Sequence, residues 1–156
     1  MKRYYIAYGS NLNVAQMRRR CPTATILATA NLKGYELLFK GSLTGSYLTI
    51  EKNENNSVPV AIWEVTPTDE LALDRYEGYP NFYYKKNIKL TCKVFHTCEI
   101  NEIAAFAYIM HEDRPIGIPS EFYLRTCLDG YKAFGFDKRV LMRAYEKCRG
   151  LANEIR

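Results

Sequence analysis

The chain has 156 residues, 47% hydrophobic and 25% charged, with a formal net charge of +5. That length buries a core without help from disulfides or metals, and the composition is that of a globular protein rather than a disordered or fibrous one. No apolar run approaches the roughly 20 residues that cross a bilayer, and the odd count of five cysteines, with no Cys-x-x-Cys spacing, argues against a disulfide framework or a zinc site. The start, "MKRYYIAYGSNL", has too short an apolar run for an export signal, so the cytoplasm is the expected compartment.

In chain order, the first predicted strand is 4–8, a β-prone run of tyrosines and aliphatics that stops at Gly9. Ser10, Asn11 and Leu12 follow at once, and a helix is predicted over 13–20. Asn13 with Gln16 reads as a capping box, and Pro22 stands just past the end. The arginines at 18–20 spread about 200° around a helix axis and read as a solvated face. Strands are expected over about 34–40 and 46–51, then 58–65, with the polar stretch 51–59 as a loop between the last two. A helix over 67–76 has Thr66 as cap, Pro67 at its first position and Asp69 in its first turn. Strands follow over about 82–95, long enough to be two, and over 102–110. Helices over 120–133 and 138–153 are capped by Ser120 and Asp137. Strands succeed one another without intervening helices, which predicts an α+β fold: one domain over 1–156, with a mixed, mostly antiparallel, curled and barrel-like sheet and flanking helices.

Two places carry candidate chemistry. Gly9 lets the backbone turn tightly and lets a ligand approach it, and the helix that follows leaves its first amides free to hold an anion or an oxyanion. A plain strand-to-helix turn is the competing reading. The segment matches neither a phosphate-binding loop nor a dinucleotide fingerprint. The second place is "LDRYEGYP". There Glu77 stands in the last turn of a helix, against the negative end of its dipole. Any burial among the neighbouring tyrosines would raise its pKa towards that of a general base; the competing reading is an exposed residue before a capping Gly78. His96 and Cys98 are spaced like a metal pair, but nothing else clusters with them.

The segments "YIAYGSNLN" with "MRRRCP", "LDRYEGYPNFYYKK", "YIM" and "PSEFY" together resemble the γ-glutamylcyclotransferase family, whose fold is shared with AIG2-like proteins, over about residues 4–135. The resemblance implies cyclisation of a γ-glutamyl group to 5-oxoproline with release of an amine or amino acid. This is an intramolecular aminolysis of acyltransferase or lyase type. It implies that Tyr8, Gly9, Ser10, Asn11 and Leu12 bind the glutamyl moiety and that Glu77 is the catalytic acid/base. It further implies that Tyr84, with Tyr83 as the adjacent alternative, and Tyr123 bind substrate. No cofactor, metal or covalent nucleophile is implied. The expected partner is a small γ-glutamyl molecule, with no nucleic acid and no membrane, and the oligomeric state is not legible. Two other readings compete. A binding module that kept the fold but lost catalysis would be expected to lack Glu77, which is present. A nucleic-acid binder would use the +5 charge and thirteen tyrosines, but no recognition consensus accompanies them.

Overall fold

The computed structural model describes residues 2–42 and 45–155. Strand β1 (Arg3–Ala7) leads through a 3-10 turn (Ser10–Leu12) into helix α1 (Val14–Arg20). Strands β2 (Thr25–Ser42) and β3 (Gly45–Val65) follow, then α2 (Pro67–Glu77), β4 (Tyr83–Val94), β5 (Ile100–Met110), α3 (Glu121–Phe134) and α4 (Lys138–Ile155). The strands close into a barrel in the order β1-β3-β2-β4-β5. Neighbours are antiparallel except at the closing seam, where β1 and β5 run parallel at Tyr5↔Phe106. The α+β fold with a curled, mixed, mostly antiparallel sheet is therefore the observed one.

The helix boundaries follow from capping chemistry. Thr66 Oγ1 accepts from the Asp69 amide at 3.2 Å and Asp69 Oδ2 from the Thr66 amide at 3.1 Å, a reciprocal box that starts α2 beside Pro67. Gly78, at φ 62°, ends it in the left-handed conformation that glycine adopts without strain. Asn13 caps α1 through Gln16, and Ser120 caps α3 by accepting from the Tyr123 amide at 3.1 Å.

Two expectations need correction. The stretch 51–59 is not a loop: β3 runs unbroken from Gly45 to Val65. Its polarity reflects exposure, and Asn53, Glu54, Asn55 and Asn56 stand opposite Gly34 alone, between the pairs Tyr35↔Lys52 and Lys33↔Ser57. Strand β2 begins at Thr25, about nine residues before its expected start; the β-branched Thr25, Ile26 and Thr29 favour a strand there, and a register shift between Ile26 and Ala28 breaks the alternation that would mark one. The strand expected over about 82–95 is there as a single one, β4, paired with β5 from Tyr83 to Lys93.

On the two faces of the barrel wall, Ile6, Ile50, Val60, Ile62, Trp63 and Phe106 are almost wholly buried. Helix α4 covers β2 with Leu141, Ala144 and Cys148. Helix α3 lies directly on the 3-10 turn, and Gly130 makes this possible. A Cβ there would stand 2.6 Å from the Leu12 carbonyl carbon and 2.8 Å from the Asn13 nitrogen, both backbone atoms. The start of α3 and the turn after β1 thus meet the end of α2 and the start of β4.

Candidate active site

That meeting point encloses a cavity of about 620 Å³. Tyr5, Tyr8, Ser10, Asn11, Leu48, Tyr83, Tyr108 and Tyr123 line its buried part, together with Gly9 and Glu77. Their elements explain the convergence. Tyr5 is in β1, Tyr8 and Gly9 follow it, and Tyr83 opens β4. Tyr108 is near the end of β5, Tyr123 is in the first turn of α3, and Glu77 is the last residue of α2.

Glu77 is partly exposed, and it faces the cavity. Among the described residues no side chain or amide donates a hydrogen bond to its carboxylate. Burial of the carboxyl group raises its pKa to about 8 from an ordinary 4.5, against the opposing pull of the Arg20 guanidinium. Burial also pushes the hydroxyls of Tyr5, Tyr8, Tyr83, Tyr108 and Tyr123 well above their ordinary range, with the Glu77 charge a further cause at each. All five therefore stay protonated.

Fixed partners set which way each hydroxyl points. Tyr8 Oη donates to the Tyr108 carbonyl at 2.6 Å, Tyr83 Oη to the Leu48 carbonyl at 2.8 Å, and Tyr108 Oη to Asp74 Oδ1 at 2.6 Å. Each commits its proton to that acceptor and keeps lone pairs as acceptors. Tyr5 Oη instead accepts from Asn11 Nδ2 at 2.9 Å, and Tyr123 Oη accepts from the Leu48 amide at 3.1 Å. Tyr5 keeps a proton to donate, while the Tyr123 hydroxyl, also protonated, has the Cys127 thiol as a further neighbour. The Asn11 orientation is itself fixed, because Arg20, a pure donor, bonds its Oδ1. Arg20 also stacks on Tyr76 at 3.4 Å from the ring centroid, and Tyr76 Oη bonds Ser10 Oγ at 2.9 Å. Behind Tyr108, Lys85 holds Asp74 at 2.8 Å and Glu70 at 2.6 Å. The turn uses the amides of Leu12 and Asn13 on Gly9 and Ser10 carbonyls; those of Ser10 and Asn11 take no carbonyl within it.

Residues 5–125 match the family described as "Gamma-glutamyl cyclotransferase, AIG2-like". The gamma-glutamylcyclotransferases of Homo sapiens and Mus musculus are 31% and 29% identical over 140 residues, covering 84% of this chain and 71% of each relative. The chain belongs to this family. The fold agrees: a solved gamma-glutamyl cyclotransferase superposes with a TM-score of 0.73 at 24% identity, covering 96% of this chain and 87% of its own. A yeast gamma-glutamyl cyclotransferase described as specific to glutathione superposes at 0.65 with 10% identity, covering 96% of each.

Of the residues that the family resemblance singled out, Tyr8, Gly9, Ser10, Asn11, Glu77 and Tyr123 come together in the cavity. Leu12 does not line it; its side chain is fully buried beneath α3. Tyr84 also lies outside. Successive strand residues face opposite sides of the sheet, so Tyr83 enters the cavity while Tyr84 turns away and donates to Glu112 Oε2 at 2.6 Å. The adjacent alternative, Tyr83, is thus the one facing the site. Sequence reasoning missed Tyr5, Tyr76 and Tyr108 as lining residues, although "YIM" had pointed at the strand carrying Tyr108. It also took 18–20 as a uniform solvated face. Arg18 and Arg19 are exposed, but Arg20 bonds Asn11.

Proposed function

We propose that this chain is a γ-glutamylcyclotransferase in activity, converting a γ-glutamyl amine or amino acid to 5-oxoproline and the free amine. The observation that carries the reading is the Glu77 carboxyl, poised near pKa 8, facing the same cavity as the Ser10–Asn11 turn. The α-ammonium of the substrate sits against Glu77 and the acceptor hydroxyls of Tyr8, Tyr83 and Tyr108. The proton-bearing hydroxyls of Tyr5 and Tyr123, with the Ser10 and Asn11 amides, serve the substrate's carboxylate and the oxygen of the reacting carbonyl.

Glu77 takes one proton from the α-ammonium. The freed nitrogen attacks the γ-carbonyl carbon and closes a five-membered ring. Glu77 returns the proton to the departing nitrogen as the old carbon–nitrogen bond breaks. The ring nitrogen releases its extra proton, and the liberated amine takes one up, so charge balances without a co-reactant. Acid/base help of this kind is typically worth about 10²- to 10⁴-fold. Orientation adds to it, because both reacting groups belong to one molecule whose coil the cavity must fold up. Fixed donors at the carbonyl oxygen stabilise the charge that develops there.

The test is to incubate the protein with γ-glutamyl amino acids and γ-glutamyl amines and to measure 5-oxoproline. Release of 5-oxoproline in step with free amine supports the reading. Glutamate as the product would instead make the chain a hydrolase.

A further inference from the structure

The cavity is larger than a glutamyl group requires. Its volume of about 620 Å³ falls in the range that encloses a drug-sized ligand. Its buried end is polar and tyrosine-walled, but its mouth differs. Phe122, Tyr47 and Tyr76 line the cavity while 76%, 42% and 44% exposed, and Phe82 joins them part-buried. Tyr47 meets Phe82 edge-on at 6.2 Å and Tyr123 edge-on at 5.1 Å, so the aromatic wall continues from the mouth inwards. A ring of exposed aromatics around an opening is a contact surface rather than part of the core.

The charged side chain that lines the mouth is a cation. Arg75 is the only cation among the described lining residues, and Glu77, deeper in, is the only acid. Arg75 contacts the Leu71 carbonyl through Nε at 3.4 Å and forms no ion pair among the described residues. Two more guanidiniums stand behind the aromatics, Arg20 on Tyr76 and Arg114 on Phe82 at 4.7 Å. Such a mouth attracts a carboxylate and repels a second ammonium group.

We propose that the mouth is the leaving-group subsite and that it takes an aromatic L-amino acid, the ring against Phe122, Tyr47 and Phe82 and the carboxylate towards Arg75. The proposal rests on the cyclisation reading above. It separates γ-glutamyl-aromatic amino acids from substrates with small leaving groups, such as glycine, and from those with cationic ones, such as a γ-glutamyl-ε-lysine.

The experiment measures kcat/KM on γ-glutamyl-phenylalanine, γ-glutamyl-glycine, γ-glutamyl-phenethylamine and γ-glutamyl-ε-lysine, by 5-oxoproline release. The phenylalanine substrate is expected to exceed the glycine substrate by about tenfold or more, the size of a partly buried ring's contribution. Phe122→Ala, at an exposed position that tolerates truncation, should shrink that ratio several-fold. Arg75→Gln should shrink the advantage of phenylalanine over phenethylamine. Equal kcat/KM on the phenylalanine and glycine substrates overturns the subsite while leaving cyclisation intact. If no substrate yields 5-oxoproline, calorimetric binding decides. Tighter binding of γ-glutamyl-phenylalanine than of γ-glutamyl-glycine would keep the subsite and overturn cyclisation, and equal or absent binding would overturn both.

Discussion

The Asn11 side chain has one orientation open to it, because Arg20 can only donate and so must meet its oxygen. That turns the Asn11 nitrogen to Tyr5 and leaves the Tyr5 proton for a ligand. Arg20 is also the one charge that draws the Glu77 pKa down. Arg20→Gln should therefore raise the Glu77 pKa above its present value and move the acid limb of kcat/KM to higher pH. A pH profile that falls in height but keeps its midpoint would show that Arg20 only holds the turn together. The two adjacent tyrosines of β4 give a second residue-scale test. Loss of one hydroxyl bond costs about 0.5–1.5 kcal/mol. Tyr83→Phe should cut kcat/KM several-fold, and it should lower Tm as well because the Leu48 carbonyl loses its partner. Tyr84→Phe should leave kcat/KM unchanged, since its hydroxyl meets only Glu112. The opposite ranking would return the substrate contact to Tyr84.

At the scale of elements, the site depends on how closely α3 can rest on the turn after β1. Gly130→Ala puts a methyl group within 2.6 Å of backbone that cannot rotate away, and overpacking of this kind typically costs about 1–3 kcal/mol. The expected result is a Tm lower by several degrees and a raised KM, because the moved turn carries Ser10 and Asn11. Gly9→Val acts more locally. Its Cβ would stand 3.3 Å from Tyr123 Oη and 3.4 Å from Leu48 Cβ, so binding should suffer more than stability. Native KM in both variants would mean that the turn takes no part in binding. Helix positions were legible because caps are local chemistry: Thr66 with Asp69, Ser120 and Gly78 each mark a boundary within a few residues. Strands 25–42 and 45–65 were legible only in pieces, over about 34–40, 46–51 and 58–65: the register shift near Ile26 in one and the asparagines in the other hide a continuity that only their long hairpin register supplies. The family motif pointed at Tyr84 where the structure turns Tyr83 to the cavity, for a related reason, since a period of two flips the facing side with a one-residue error.

For the whole molecule, the barrel seam between β1 and β5 brings Tyr5 beside Phe106 and places Tyr8 under Tyr108. These residues are about a hundred positions apart, so no local pattern announces them, whereas the glutamate and the Gly-Ser-Asn turn stand out in short motifs. The packing that buries the Glu77 carboxyl also shapes the pH response of folding. The folded Glu77 pKa is near 8 and its ordinary value 4.5, so the folded state binds this proton more tightly than the unfolded chain does. Its contribution is fully present below about pH 4.5 and is lost as pH rises through about 8. Glu77→Gln stays neutral throughout. The Tm of the variant should therefore gain on that of the parent between about pH 5 and pH 9, and parallel curves would show that the carboxyl is not desolvated. The same carboxyl carries the catalytic account, and its activity profile tests that account most directly. Below about pH 8, kcat/KM for 5-oxoproline release should fall tenfold per pH unit in the parent, as the base is lost to protonation. Glu77→Gln, still folded, should lie at least about two orders of magnitude lower and lack that limb. A Gln variant that releases 5-oxoproline at the parental rate, with the acid limb intact, would contradict the assignment of Glu77 as the base.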